Sequence, residues 1–374
     1  MVTFLHTADW QVGASSTLAG TSSRELRRNR LKVVRRIGRE AAERRVDFMI
    51  VAGDMFEDHD VDDLLVREVV GVLNSIAPIP VFIIPGNHDF SGHDCVWERQ
   101  SWKSVGGHVR LLAEHQEISV SDRTVLYPCP VSQKRSSIDP TAWIPVRGEG
   151  DLRLRIGIAH GSLDTVSGSA NFPIASDRAE KAGLDYLALG DWHGMKIDGR
   201  TAYPGTPEPT NFGEERTGNV LIVDLKGMSM PEIEAVHVAE TKWLDLNREI
   251  REASDAARLE NDLKGSGNPN SCIFRVRTRM LIDDAQLLER LRILRHTLEE
   301  EALFLDWPEE CMRPVALDAS GIPAGFLSDA ERLLVSAAQG TLTDGDGAGL
   351  RDYTAEEIAE ARYLLRDYVR RTDR

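Results

Sequence analysis

Residues 48–57, Phe-Met-Ile-Val-Ala-Gly-Asp-Met-Phe-Glu, carry the strongest signal of how this chain folds. The apolar run Phe48–Ala52 has the length and composition of a strand buried on both faces, and it ends at a polar turn that opens with Gly53. Helical periodicity precedes the run over Arg24–Arg45, and a second helix-like segment, Leu64–Asn74, follows it. Helix, buried strand, polar loop and helix in this order predict an α/β sandwich.

The pattern of an apolar strand followed by a polar loop recurs along the first 225 residues. Further strands are predicted at Val2–Thr7, Val81–Ile84, Arg153–Ala159, Tyr186–Leu189 and Asn219–Leu225. Strands and helices still alternate beyond that point, but the polar strand-end loops stop. We therefore predict a first α/β domain over residues 1–240, a smaller α+β domain over residues 241–314 and a helical C-terminal partner-binding region over residues 315–374. The apolar stripes of these acidic C-terminal helices must dock either on the smaller domain or on another protein.

The charge of the chain is distributed unevenly. Its 374 residues carry a net charge of −15, which argues against a uniformly basic nucleic-acid-binding protein. Arg24–Arg45 nevertheless holds ten Lys and Arg residues against three Glu, whereas His296–Arg374 holds 17 acidic and eight basic residues. The basic segment is either a solvated helix face or a contact for phosphate groups. The candidate DNA contacts within it are Arg27, Arg28, Arg30 and Lys32.

The remaining composition predicts a cytoplasmic protein without a membrane segment. No stretch approaches the ~18 apolar residues that cross a bilayer, and the N-terminus lacks the basic start of a secretory leader. The four cysteines lie far apart and form no metal-binding or redox pair, so we expect reduced thiols.

Polar side chains with metal-ligand chemistry follow five of the apolar strands. They are Asp9 and Gln11, then Asp54, then Asn87, His88 and Asp89, then His160, and last Asp191 and His193. A single strand-end Asp is usually a turn or helix cap, and a single buried His is usually a core residue. Five such groups at the carboxyl ends of strands meet at one edge of a sheet, and their oxygen and imidazole donors suit two divalent metal ions.

The order of these motifs carries a family resemblance. The series Asp9, Gly53-Asp54, Gly86-Asn87-His88-Asp89, His160-Gly161 and Gly190-Asp191-Trp192-His193 resembles the calcineurin-like metallophosphoesterases. Three flanking segments resemble the SbcD-type nucleases, which are DNA repair exonuclease subunits: Leu5–Trp10, Ile84–Asp89 and Tyr203–Pro209. The resemblance implies a two-sheet α/β/α sandwich with a smaller α+β capping domain and a C-terminal helical tail.

The resemblance also implies roles for individual positions. Asp54 would bridge the two metals, with Asp9, Gln11 and His193 on the first metal and Asn87, His160 and Asp191 on the second. His88 would lie beside the scissile phosphate, with Asn87 neutralising charge there and Asp89 orienting His88. The implied reaction is phosphodiester hydrolysis by a metal-activated hydroxide, with Mn²⁺ as the first choice of ion and Mg²⁺ as the alternative.

The implied partners are DNA and an SMC-like coiled-coil ATPase of the SbcC type, and the family typically forms homodimers. The chain departs from the pattern at Gln11 and Asp191, where the family usually has histidines. Three functions therefore stay open: a DNA nuclease, a phosphodiesterase or phosphatase for small nucleotides, and a weakly active scaffold subunit.

Overall fold

The computed structural model describes residues 1–14, 21–165, 171–282, 284–313, 326–342 and 353–372. The chain divides into two compact units, Met1–Trp243 and Leu244–Arg374. Across the described residues, no helix combines the length and the apolar character that crossing a membrane requires. The separation of residues 315–374 as a region of its own stays a prediction.

The first unit contains twelve strands and three α-helices in its described residues. In chain order these are β1 (Val2–Thr7), α1 (Thr21–Glu43), β2 (Phe48–Ala52), α2 (Asp63–Ser75), β3 (Val81–Ile84), β4 (Val109–Leu111), β5 (Ile118–Ser121), β6 (Thr124–Cys129), β7 (Leu154–His160), α3 (Arg178–Ala182), β8 (Tyr186–Gly190), β9 (Lys196–Asp198), β10 (Thr201–Tyr203), β11 (Asn219–Leu225) and β12 (Glu232–His237).

The strands form two six-stranded sheets with the orders β12-β11-β1-β2-β3-β4 and β5-β6-β7-β8-β10-β9. Strands β1 to β4 are parallel in the first sheet, and β6, β7, β8 and β10 are parallel in the second. The outer strands β12, β5 and β9 each run antiparallel to their neighbours. Because parallel strands share one carboxyl edge, the loops that follow β1, β2 and β3 emerge together.

Side chains alternate between two cores along β2, which explains its unbroken apolar sequence. Phe48 and Ile50 pack in the layer between the two sheets, where Phe48 stacks on Phe4 with ring centroids 5.0 Å apart. Met49 and Val51 face the opposite way and pack beneath α1 and α2. A strand between two apolar layers needs apolar residues on both faces. The predicted α/β sandwich of two sheets is therefore confirmed.

The second unit builds a core around a three-stranded sheet. Its elements are β13 (Lys242–Ile250), which begins at the boundary between the units, α4 (Ala253–Lys264), β14 (Cys272–Met280), α5 (Ala285–Glu301), β15 (Phe304–Asp306), α6 (Phe326–Ala338) and α7 (Ala355–Thr372). The sheet has the order β13-β14-β15. Leu259 of α4 and Leu291 of α5 pack with Phe274 of β14 in one apolar cluster.

The two C-terminal helices contact each other and the sheet of their own unit. Glu331 of α6 is buried and accepts a hydrogen bond from Nε of Arg366 in α7 at 2.9 Å. The guanidinium of Arg279 in β14 lies 3.3 Å from the ring centre of Tyr363 in α7. The acidic tail that the sequence predicted as partner-binding thus docks on its own unit, and the ATPase contact stays a prediction.

Two helix glycines provide a test of the packing between α1 and α2. A Cβ at Gly38 would lie 2.4 Å from Cγ2 of Ile76, whereas a Cβ at Gly71 would meet no heavy atom within 4 Å among the described residues. We expect Gly71→Ala to raise the free energy of unfolding by about 1 kcal/mol through helix propensity. We expect Gly38→Ala to lower it by about 1 kcal/mol or more, because the β-branched Ile76 cannot retreat.

The measurement is urea unfolding followed by circular dichroism, with Gly71→Ala as the matched control for helix propensity. An equal gain in stability for both variants would show that the helices separate without strain, contrary to the packing described here.

Candidate metal centre

Three strand ends from both sheets meet in one buried cluster. Asp9 follows β1, Asp54 follows β2, and His160 is the last residue of β7. One ligand atom from each of these three buried residues lies within 4.8 Å of the other two. The expectation that all these groups meet at one edge of a single sheet is corrected: β1 and β2 belong to the first sheet and β7 to the second, so the cluster lies where the carboxyl ends of strands from two sheets meet.

The tautomer of His160 is set by the backbone of β2. Its Nδ1 lies 2.9 Å from the carbonyl oxygen of Ala52, to which it donates, so Nε2 points into the cluster. Nε2 lies 2.8 Å from Oδ1 of Asn87 and 3.4 Å from Oδ2 of Asp54. Two oxygen acceptors that face one ring nitrogen require positive charge between them, which either a proton on Nε2 or a metal ion supplies. The donor set therefore fits a divalent metal ion.

The pKa values of the cluster show the same need for positive charge. Burial raises the pKa of the Asp9 carboxyl to about 7. Burial also opposes ionisation of Asp54, yet the charge and hydrogen bond of His160 hold the pKa of Asp54 below its usual value. Burial opposes charging of His160 too, but the carboxylate of Asp54 raises the pKa of His160 well above its usual value.

His193 and Gln11 lie together on the Asp9 side of the cluster. Nε2 of His193 is 3.0 Å from the amide nitrogen of Gln11. Nδ1 of His193 lies 2.7 Å from Oε1 of Glu214, whose other oxygen accepts the backbone N–H of Thr210 at 2.8 Å. A carboxylate behind a ligating imidazole fixes its orientation and raises its basicity. The candidate site residues predicted from the sequence do not include Glu214, because it belongs to none of the strand-end motifs.

Asp191 also reaches the cluster. Its backbone N–H lies 3.2 Å from both carboxylate oxygens of Asp9, and its Oδ1 is 3.9 Å from Nε2 of His160. Its Oδ2 accepts a hydrogen bond from the hydroxyl of Ser162 at 2.6 Å. All seven predicted ligand positions thus lie at or beside the cluster, connected by direct contacts.

Four of the candidate ligands have left-handed backbone conformations. The φ angles of Asp9, Gln11, Asp54 and Asp191 are 51°, 44°, 50° and 101°. Each such non-glycine residue costs about 1–3 kcal/mol and persists only where its surroundings enforce it. The amides of Asp9 and Gln11 donate to the carbonyls of Gly53 and Asp54 at 3.1 and 3.0 Å, which locks the first two loops together.

The loop after β3 approaches Asp54 so closely that only glycine fits at its start. A Cβ at Gly86 would lie 2.1 Å from Oδ1 of Asp54. The same Asp54 oxygen accepts the backbone N–H of His88 at 2.9 Å. The β3 loop is therefore seated directly on the carboxylate expected to bridge two metals.

His88 is held so that one ring nitrogen faces the solvent side of the cluster. Its Nδ1 lies 2.8 Å from the carbonyl oxygen of Glu57, and its side chain is 31% exposed. Asp89 is fully buried, and its carboxylate instead accepts the amides of Gly86 at 2.7 Å and Phe56 at 3.1 Å. The expectation that Asp89 orients His88 is therefore corrected: Glu57 orients His88, and Asp89 joins the β2 and β3 loops.

A cleft of about 280 Å³ opens beside the cluster within the first unit. Gln11, Glu57, His88 and His193 line it, together with Arg30 of α1. The candidate ligands Gln11 and His193 and the partly exposed His88 therefore share one solvent-accessible cleft.

The four candidate DNA contacts on α1 divide into two groups. Arg27, Arg28 and Lys32 are exposed, and Nζ of Lys32 donates to Oδ1 of Asn29 at 2.8 Å. Arg30 is buried and donates to the carbonyl oxygens of Trp10 at 3.2 Å and Pro209 at 3.3 Å. Helical periodicity separates Arg30 from the exposed face, so it braces the loops around the cleft.

Comparison with known proteins identifies the family. A model of the calcineurin-like phosphoesterase family matches residues 2–222, which include every candidate ligand. The chain belongs to this family. The match includes the possible metal site at Asp9, Asp54 and His160.

A curated relative and two solved structures are also similar to this chain. The uncharacterized metallophosphoesterase YhaO of Bacillus subtilis (strain 168) is 24% identical over 272 residues, and the match spans 69% of this chain and 65% of YhaO. The structure of TT1561 of Thermus thermophilus has a TM-score of 0.42 at 11% identity, covering 63% of this chain and 99% of that one. The calcineurin-like phosphoesterase YfkN from Bacillus subtilis has a TM-score of 0.36 at 12% identity, covering 63% and 90%.

The contacts of Glu214 generate a prediction about metal affinity. We expect Asp54→Asn to abolish metal binding and Glu214→Gln to weaken it by roughly 10- to 100-fold, because His193 loses its orienting carboxylate. The measurement is Mn²⁺ titration by calorimetry, with Glu149→Gln at an exposed position as the control. Unchanged affinity in Glu214→Gln would contradict a ligand role for His193.

Proposed function

We propose that this chain is a divalent-metal-dependent DNA nuclease with exonuclease or single-strand endonuclease activity. The observation that carries the proposal is the convergence of Asp9, Asp54 and His160 within 4.8 Å, beside a cleft lined by His88. Membership of the phosphoesterase family supports the hydrolysis of a phosphate ester. The exposed Arg27, Arg28 and Lys32, on the helix that also supplies Arg30 to the cleft, support a polyanionic substrate.

The donor set supports two hard or borderline ions. Asp9, Gln11 and His193 would hold one ion, Asn87, His160 and Asp191 would hold the other, and Asp54 would lie between them. We propose Mn²⁺ as the physiological ion, with Mg²⁺ as the alternative, because carboxylate and amide oxygens predominate. Such a pair supplies an activated water and Lewis-acid stabilisation of the phosphate.

The residues of the chain supply positioning and proton transfer. With Nδ1 hydrogen-bonded to the Glu57 carbonyl, His88 presents Nε2 to the cleft, where a protonated ring can donate to the leaving oxygen. The Asn87 amide, whose Oδ1 lies 2.8 Å from Nε2 of His160, would neutralise charge on the phosphate oxygens. Arg30 holds the carbonyls of Trp10 and Pro209 and so fixes two loops of the cleft.

The assembly and location are part of the same proposal. We place the protein in the cytoplasm, as a homodimer that works with an SMC-like coiled-coil ATPase in the processing of DNA breaks. The described cysteines are free, which agrees with a reducing compartment. The chain spans just under two thirds of the length of the curated relative it matches, so the activity of the whole protein rests on the tests below.

The role of His88 is tested by DNA cleavage. We expect the wild-type chain with Mn²⁺ to degrade linear DNA or nick single-stranded circles, and His88→Ala to lower the rate by roughly 10²- to 10⁴-fold by loss of the proton donor. Calorimetry should show that His88→Ala still binds metal. His93→Ala, at an exposed position shortly after the same loop, is the control and should retain activity.

Other outcomes would favour the alternatives. Rapid hydrolysis of cyclic nucleotides without any DNA cleavage would overturn the nuclease proposal in favour of a small-nucleotide phosphodiesterase. Wild-type protein that binds no metal would indicate the scaffold subunit.

The two departures from the family pattern are tested by metal preference. The hydroxyl of Ser162 donates to Asp191, and the amide nitrogen of Gln11 lies 3.0 Å from His193, which supports assigning both positions to the ligand set. We expect Asp191→His to shift the ratio of Mn²⁺ to Zn²⁺ affinity toward Zn²⁺ by roughly tenfold or more, since imidazole replaces a charged oxygen donor. Gln11→His should shift this affinity ratio in the same direction but by a smaller factor. Competition with a chelating dye measures both, and an unchanged ratio would remove these positions from the ligand set.

A further inference from the structure

Helix α1 carries a narrow basic stripe along its solvent face. At about 100° per residue, Arg28, Lys32, Arg35 and Arg39 fall within an arc of about 60°. All four are exposed. The opposite face of the helix is buried against the first sheet through Leu31, Val33, Val34, Ile37 and Ala41. The stripe is therefore continuous and faces away from the core.

The far end of the stripe opens into a surface pocket of about 440 Å³. Arg35, Arg39 and Arg45 line it, with Ile76 and Ile79 from the segment between α2 and β3 as its apolar wall. That segment leads into the N-terminal end of β3, whereas Asn87 follows the C-terminal end of the same strand. The pocket thus lies at the sheet edge opposite the metal centre.

These three arginines lack the carboxylates that accompany neighbouring cations. Within the described part of the chain, the side chains of Arg35, Arg39 and Arg45 form neither an ion pair nor a hydrogen bond, whereas Arg44 pairs with Glu234 at 2.6 Å and with Glu40 at 3.6 Å. Arg35 and Arg39 are one helical turn apart, where like charges destabilise a helix. An unpaired basic cluster in a chain with a net charge of −15 favours an anionic ligand.

We propose that the stripe binds the phosphate backbone of duplex DNA and that the pocket of Arg35, Arg39 and Arg45 holds phosphates remote from the cleavage site. Arg28 and Arg39 are about 16 Å apart along the helix, which is long enough to face several phosphates of a strand, since these follow one another at about 3.4 Å along the duplex axis. Guanidinium groups bind phosphate oxygens in a two-pronged geometry. The exposed large apolar residues that would insert into a membrane do not occur on the described face of α1. This inference rests on the proposed nuclease function and assigns a DNA path to it.

The test compares DNA binding by two triple variants of the full chain. The first is Arg35→Gln/Arg39→Gln/Arg45→Gln. The control is Arg67→Gln/Lys181→Gln/Arg332→Gln, which removes three exposed cations that pair with carboxylates at 4.0, 2.8 and 2.9 Å. Both are placed in the His88→Ala background with Mn²⁺ so that the DNA stays intact. Fluorescence anisotropy of a labelled 40-base-pair duplex is measured from 50 to 300 mM salt.

We expect the first variant to bind at least tenfold more weakly at 50 mM salt, with the slope of log affinity against log salt reduced by about 2.7, roughly 0.9 for each lost phosphate contact. The control should match its parent. With His88 restored, both variants should hydrolyse bis(p-nitrophenyl) phosphate at the wild-type rate, which shows that they fold.

The other outcomes distinguish failure of the proposed DNA path from failure of the nuclease proposal. If the parent binds DNA and the first variant has the same affinity and slope, the proposed path is overturned and the nuclease proposal stands. If the parent binds no DNA, both proposals fall. Binding to phosphatidylserine vesicles is measured alongside. If the first variant binds DNA as its parent does but no longer binds these vesicles, the stripe is a membrane contact and the DNA path is wrong.

Discussion

Electrostatic repulsion between buried electron-pair donors governs the architecture of the first unit. Asp9, Asp54 and His160 bring two carboxylates and one imidazole together in a space from which water is largely excluded. Such a group is unfavourable without a cation, as the pKa of about 7 for Asp9 shows. Backbone hydrogen bonds between the loops after β1 and β2, together with the amide of His88 on Asp54, hold these donors together against that repulsion. These contacts also enforce the left-handed backbone at four ligand positions.

The sequence was sufficient for the parts of the molecule that follow from local physics. The unbroken apolar sequence of Phe48–Ala52 results from packing between two layers, so the strand and its sandwich could both be predicted. The strand-end ligands of each sheet could be predicted too, because parallel strands bring their carboxyl ends together. The meeting of the two sheets at the cluster depends on tertiary packing, which that rule does not cover. Strands such as β9 and β12 were missed, since an exposed edge strand requires no apolar alternation.

Contacts between loops that are distant in sequence could not be predicted from the sequence. Glu214 supports His193 from a loop 21 residues away, and the carbonyl oxygen of Glu57 carries no sequence signal because every residue has one. Only the helical periodicity indicates that Arg30 is buried. Arg30 lies on the same face of α1 as Val34 and Ile37, whereas Arg28 and Lys32 lie on another face. Residue identity gave the chemistry of the site, and the packing determined which partner each group received.

The hydrogen bond from His160 to the carbonyl of Ala52 joins the last residue of a strand in the second sheet to the last residue of a strand in the first. The possible metal site therefore spans two separately hydrogen-bonded sheets. Their relative position depends on the side chains packed between them and on a few contacts between strand ends, such as that of Asp191 with Asp9. Among the packed side chains are Phe4, Phe48 and Tyr186. The aromatic layer thus acts as a spacer that sets ligand geometry from a distance. Changes in its volume, without any contact with the ions, would alter which ion radius the site accommodates.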